Sequence, residues 1–215
     1  MTSRRHFLLS SALLLVESAP IFPALRKQTA RTELPKIVCF GDSITAGYGV
    51  DPGHSYPDYL QAKLDAHGYH YKVINQGVSG NTTKDAVDRL PEVLQLHPQI
   101  VIVELGGNDG LRGYPIASTR ANLNTIVGTL QRAGIKVVLA GITLPPNYGP
   151  DYIHQFDKIF EDVAAAHHIT LLPMLYLHVY DVPNAIQDDG IHPTAKGAEL
   201  VAGNIYPLLV PLLHK

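Results

Sequence analysis

The chain reads as an α/β protein: a three-layer α/β/α sandwich on a five-stranded parallel sheet, flavodoxin-like, with strand order 2-1-3-4-5. Three observations predict this. Short apolar runs alternate with longer helical patterns along the chain. Two of the runs, residues 100–105 and 136–142, are almost wholly apolar, as strands covered by helices on both faces are. Residues 31–215 contain no repeat, low-complexity tract or interdomain linker, so the 215-residue, 46% hydrophobic chain holds one domain with a sizeable core.

The expected strands are residues 36–40, 71–75, 100–105, 136–142 and a short 170–172. Helices are expected between them at 56–66, 83–96, 118–133 and 152–167. A last helix spans 194–213, with an interruption near Pro207. Strands separated by helices imply right-handed crossovers and hence a parallel sheet.

Residues 1–30 stand apart from this pattern. Ser3-Arg4-Arg5-His6-Phe7-Leu8 is a twin-arginine pattern, and the run Leu9 to Val16 after it is short and apolar. A basic segment followed by such a run reads as an export signal. Glu17 and Pro20 break the run, so no stable membrane span is expected after processing. The expected location is periplasmic or secreted, reached through the twin-arginine route.

Composition excludes several classes. The formal net charge of −2 advertises no basic face, so no nucleic-acid partner is expected. The single cysteine, Cys39, lies in an apolar strand and cannot form an internal disulfide. No Cys/His spacing resembles a metal site, and neither metal nor cofactor is expected. The chain is expected to be a monomer acting on a small molecule.

Four separated motifs carry the chemistry. Gly41-Asp42-Ser43 follows strand 1, Gly77-Val78-Ser79-Gly80 follows strand 2, and Gly106-Gly107-Asn108-Asp109 follows strand 3. Each sits at the carboxyl edge of the sheet, where open α/β folds bind ligands. The fourth, Asp188-Asp189-Gly190-Ile191-His192-Pro193, precedes the last helix. A serine hydroxyl is a poor nucleophile unless a base reaches it. His192 is the candidate base. Asp189, three residues upstream across Gly190, is placed to hold the other ring nitrogen and fix the tautomer; Asp188 is a possible substitute. Attack on an acyl carbon creates an oxyanion. The Ser43 and Gly80 N–H groups and the Asn108 side-chain amide are the candidate donors for it.

These four blocks together resemble those of the SGNH (GDSL-type) hydrolases. The likeness is greatest to a bacterial subgroup of thioesterases, lysophospholipases and arylesterases, through the runs Val103 to Gly113, Leu144 to Gly149 and Gln187 to Pro193. It extends over nearly all of residues 36–213. It implies Ser43 as nucleophile, Asp189 and His192 as the rest of the triad, and Ser43, Gly80 and Asn108 as oxyanion donors. It also implies a flap at residues 110–115, with Leu111 and Tyr114 touching the substrate and Leu144 lining an acyl groove. One departure is Asn81, where the relatives tend to carry an acidic residue. The implied activity is carboxylic ester hydrolysis through an acyl-enzyme, on aryl or acyl esters, thioesters or lysophospholipids. A carbohydrate acetylesterase is the alternative.

Two readings from other classes compete with this one. Asp42 and Asp109 at strand ends could hold Mg²⁺ for phosphoryl transfer, but Ile44 stands where a second carboxylate belongs and there is no phosphate loop ending in Lys-Ser/Thr. A non-catalytic lipid- or carbohydrate-binding domain would have no need of the whole set of motifs. No Gly-x-Ser-x-Gly elbow occurs, which disfavours an ordinary α/β-hydrolase.

Overall fold

The computed structural model describes residues 33–215. The expected export segment, residues 1–30, lies outside the described residues. Five strands form one parallel sheet: β1 (Lys36–Gly41), β2 (Lys72–Gly77), β3 (Ile100–Glu104), β4 (Lys136–Ala140) and β5 (Thr170–Leu172). Their order is β2-β1-β3-β4-β5, as the sequence predicts. Helices α2 (Tyr56–Ala66) and α7 (Ala195–Leu209) pack together as one layer. On the other side, α3 (Thr83–Gln95), α5 (Ile116–Arg132) and α6 (Pro150–His167) pack in sequence.

Burial marks β1 and β3 as interior strands of the sheet. Ile37, Val38, Cys39 and Phe40 of β1 are fully buried, as are Ile100 to Val103 of β3. Both faces of each strand are therefore covered, which alternating polar residues would not permit. β2, an edge strand, carries the polar residues Lys72, Asn75 and Gln76 and has no fully buried position. Helix starts are fixed locally. At α3, the Thr82 N–H donates to the Asp85 carboxylate at 2.8 Å while the Thr82 hydroxyl accepts the Asp85 N–H, a reciprocal cap.

The register places the site. Gly41 pairs with both Gly77 and Glu104, so β1, β2 and β3 end level with one another. Three loops thus leave the sheet side by side, starting at residues 42, 78 and 105.

Several boundaries differ from those expected. β2 runs to Gly77, past the expected end at 75, because Asn75 and Gln76 still pair with Cys39 and Phe40. β4 stops at Ala140 rather than 142. The Gly141 N–H donates to the Leu172 carbonyl at 2.8 Å, and a Cβ there would come 2.5 Å from the Pro173 carbonyl oxygen, so the chain turns away in close contact with β5. α5 begins at Ile116, two residues early. α7 continues past Pro207 to Leu209, followed by a short 3₁₀ turn. Two short helices take the place of expected loops: α1 (Ser43–Ala46) and α4 (Gly107–Leu111). Both carry site residues, and neither is long enough to show a helical period in sequence.

Candidate active site

Ser43 is the first residue of α1, directly after β1. The turn is tight. A Cβ on Gly41 would meet the Thr45 hydroxyl at 2.0 Å and the Glu104 carbonyl oxygen at 2.7 Å, so only glycine fits. Asp42 caps α1, its Oδ1 accepting the Ile44 N–H at 3.1 Å. Ser43 Oγ is thereby presented beyond the end of the sheet.

His192 arrives from the loop before α7. Its Nε2 lies 2.8 Å from Ser43 Oγ, and its Nδ1 lies 2.6 Å from Asp189 Oδ2. Asp189 Oδ1 accepts the backbone N–H of Ile191 at 2.9 Å and of His192 at 3.0 Å. The carboxylate therefore organises its own loop as well as the ring. Burial would raise the Asp189 pKa, but the His192 ring and these two N–H donors outweigh it and hold the carboxyl at about 2. An ionised carboxylate only accepts, so Nδ1 carries the hydrogen and Nε2 of the neutral ring is left with its lone pair toward the Ser43 hydroxyl. Tyr48 flanks the imidazole, its ring centroid 4.6 Å away.

The expected oxyanion donors converge on the same place. Ser43, Gly80 and Asn108 line one cavity of about 350 Å³ with His192. Gly80 has φ +80°, a left-handed conformation that glycine adopts freely. Among the described residues, the Ser43 and Gly80 N–H groups donate to no protein acceptor. Asn108 differs: its Nδ2 lies 3.0 Å from Asp42 Oδ2 and 3.0 Å from the Asn81 carbonyl oxygen. Its neighbour Asp109 is buried and grips the same loop, accepting the Thr83 N–H at 2.8 Å and bonding the Thr83 hydroxyl. The carbonyl of Gly80 accepts from the Arg112 guanidinium at 2.9 Å. Helix α4 and its cap thus hold the Gly80 loop at three points.

Asp42 and Asp109, the alternative metal ligands, have both oxygens turned to protein donors. Among the described residues, no group of three His, Cys, Asp or Glu is arranged to hold a metal ion.

Beneath Ser43 lies a second acid. Glu104 is 1% exposed and accepts the Thr45 hydroxyl at 2.8 Å, while its Oε1 has no partner among the described residues. Burial, with the charge of Asp42 adding, pushes its pKa well above the ordinary carboxylate range. Burial also raises Asp42 to about 6, against the opposing Ile44 N–H and Asn108 amide.

Of the expected substrate contacts, Leu111 and Leu144 line the cavity. Tyr114 does not; it is 42% exposed, its backbone carbonyl accepting from the Tyr152 hydroxyl. The start of the expected flap is also firmer than a free loop, because Gly110 and Leu111 close α4. Sequence reading missed Tyr48, Ile142, Tyr176 and Tyr180 on the cavity wall. Ile142 and Tyr176 follow β4 and β5 at the same sheet edge, which was the one signal available for them.

The sequence and fold resemble those of known proteins. A family model described as "GDSL-like Lipase/Acylhydrolase family" matches residues 39–200. Esterase TesA of Pseudomonas aeruginosa is 40% identical over 210 residues, spanning 97% of this chain and all of the relative. Thioesterase 1/protease 1/lysophospholipase L1 of Escherichia coli (strain K12) is 36% identical, over 83% of this chain and 85% of the relative. A crystal structure of TesA superposes with a TM-score of 0.79 at 40% identity, covering 83% of this chain and 99% of the other.

Proposed function

Because the chain belongs to the GDSL-like lipase/acylhydrolase family and is a serine ester hydrolase, we propose that Ser43 is its nucleophile, with His192 as base and Asp189 orienting it. The observation that carries this reading is the unbroken chain Asp189–His192–Ser43, with contacts of 2.6 Å and 2.8 Å.

The steps follow from the geometry. Ser43 Oγ attacks the ester carbonyl carbon as His192 Nε2 takes its proton. The carbonyl oxygen becomes an oxyanion and receives the Ser43 N–H, the Gly80 N–H and an Asn108 N–H. Collapse expels the alcohol or thiol, which leaves with the proton from His192, and Ser43 is acylated. Water then attacks the acyl-enzyme, giving its proton to His192, and the second collapse releases the acid and restores the Ser43 hydroxyl.

The cavity wall supports an apolar acyl or aryl group. Leu111, Ile142, Leu144 and Pro145 line it, with Tyr176 and Tyr180. Aryl and acyl esters, thioesters and lysophospholipids all present the same carbonyl to such a site; an acetylated sugar has little apolar surface to bury there. Among the described residues no helix is long and apolar enough to cross a membrane. Export through the twin-arginine route and action as a monomer complete the proposal. Arg4 and Arg5 support the export reading.

The test is a substrate profile on purified protein. It uses p-nitrophenyl esters of two to sixteen carbons, a lysophospholipid and an acetylated xylan, each beside the Ser43→Ala variant. Turnover of the apolar esters that disappears in the variant is expected. Activity confined to acetylated xylan would favour the carbohydrate acetylesterase.

A further inference from the structure

Asp42 precedes the proposed nucleophile, is 2% exposed, and has no part in the triad or among the oxyanion donors. Its two oxygens nevertheless reach both halves of the site. Oδ1 accepts the Ile44 N–H, one residue past Ser43, at 3.1 Å. Oδ2 accepts from Asn108 Nδ2 at 3.0 Å. One carboxylate therefore anchors the turn bearing the nucleophile and the side chain offered to the oxyanion.

The hydrogen count at Asn108 makes this more than scaffolding. An amide NH₂ has two hydrogens. Nδ2 faces two protein acceptors, Asp42 Oδ2 and the Asn81 carbonyl, each at 3.0 Å. An arriving oxyanion must draw a hydrogen from one of them, and the two are unequal. An N–H bond to a carboxylate is roughly twice as strong as one to a neutral carbonyl. Losing its donor would also leave Oδ2 of Asp42 unpaired in a buried site, which is costly. Asn81 is only half-buried, and water can replace the donor it loses.

We propose that Asp42 is a positioning residue for the oxyanion site: it keeps one N–H of Asn108 throughout turnover, so that the other, held by Asn81 in the resting site, is the one handed to the substrate oxygen. The proposal rests on the esterase reading and adds a role for the residue before the nucleophile. The Asp42–Asn108 bond stays in place through the reaction, and the Asn81–Asn108 bond is the one exchanged.

A double-mutant cycle tests it. Wild type, Asp42→Asn, Asn108→Ala and the double variant are assayed on p-nitrophenyl butyrate at about pH 8, with kcat and KM resolved. The amide that Asp42→Asn introduces keeps one oxygen to cap the Ile44 N–H and turns its NH₂ toward Asn108 Nδ2, which thereby loses that acceptor. Asp42→Asn is expected to lower kcat by roughly 10- to 100-fold with KM within about twofold. The double variant should be no slower than Asn108→Ala, within about threefold, because Asp42 acts through Asn108. Losses that multiply would overturn the proposal, as would a raised KM at constant kcat. If Asp42→Asn fails to fold, Asp42→Ser is judged by the same two criteria, since one hydroxyl cannot bridge both donors as the carboxylate does. Ser43→Ala assayed alongside separates the two failures. Turnover persisting there sinks the esterase assignment of Ser43, whereas an inactive Ser43→Ala with a multiplicative cycle sinks only the role of Asp42.

Discussion

His192 Nε2 lies 2.8 Å from Ser43 Oγ, although 149 positions separate the two residues in the chain. The contact exists because β1 ejects the serine at the carboxyl edge of the sheet and the loop before α7 returns the histidine there. Asp189 holds that loop through two backbone N–H groups as well as the imidazole. The proposed base is thus fixed in both tautomer and position before substrate binds, which is what lets such a geometry contribute to rate.

Asn108→Ala is expected to lower kcat by roughly 10²–10³-fold with little change in KM, because the lost donor acts on charge that develops in the transition state. Steady-state kinetics on a p-nitrophenyl ester check it. A raised KM at unchanged kcat would move Asn108 to ground-state binding.

Activity should fall on acidification, with Asp42, raised to about 6, contributing to the limb beside the proposed base. His192 must be neutral to take the Ser43 proton, whereas Asp189, held at about 2, stays ionised far below the working range. Asp189→Asn should cost roughly 10³–10⁴-fold in kcat, since an amide can stabilise the wrong tautomer. The profile of kcat/KM against pH, with and without EDTA, decides this. A flat limb down to about pH 4 would reject His192 as base, and loss of activity to EDTA would revive the metal-dependent reading.

Glu104 predicts a pH-dependent stability difference. Its folded pKa is raised, so the folded state holds the proton more tightly than the unfolded chain does. Stability from this group is therefore greatest at low pH and declines as pH rises above the unfolded carboxyl value of about 4.3. Glu104→Gln removes that decline. The melting temperature of the variant minus that of wild type should grow more positive between about pH 5 and pH 8. A difference that stays constant over this range would mean that Glu104 is not held protonated by its burial.

Replacing Arg4 and Arg5 by lysine should retain the enzyme in the cytoplasm if the twin-arginine pattern directs export. Fractionation with an activity assay reads the outcome. Unchanged export would leave the pair as a generic basic segment.

Much of this arrangement was legible in the sequence because it is carried by short motifs at strand ends. Apolar runs gave the parallel sheet and its order, and the motifs after β1, β2 and β3 then had to meet at one edge. The helices α1 and α4 were not legible, since four or five residues cannot show a helical period. Tyr48, Tyr176 and Tyr180 were invisible as cavity residues because nothing in a local pattern says which loop residues face inward. The bond from Asp42 to Asn108 joins two motifs 66 positions apart and appears only when the strands are in register. Tyr114, expected to touch substrate from its place next to a recognised motif, lies on the surface after α4, off the cavity wall.

The turnover number of Ser43→Ala, measured beside Ser79→Ala, tests the central claim most directly. Both serines line the cavity, but only Ser43 is bonded to His192. Ser43→Ala should lose about 10⁴-fold or more in kcat while keeping the wild-type melting temperature, and Ser79→Ala should stay within about tenfold of wild type. Near-normal turnover by folded Ser43→Ala, with Ser79→Ala inactive, would contradict the assignment of the nucleophile.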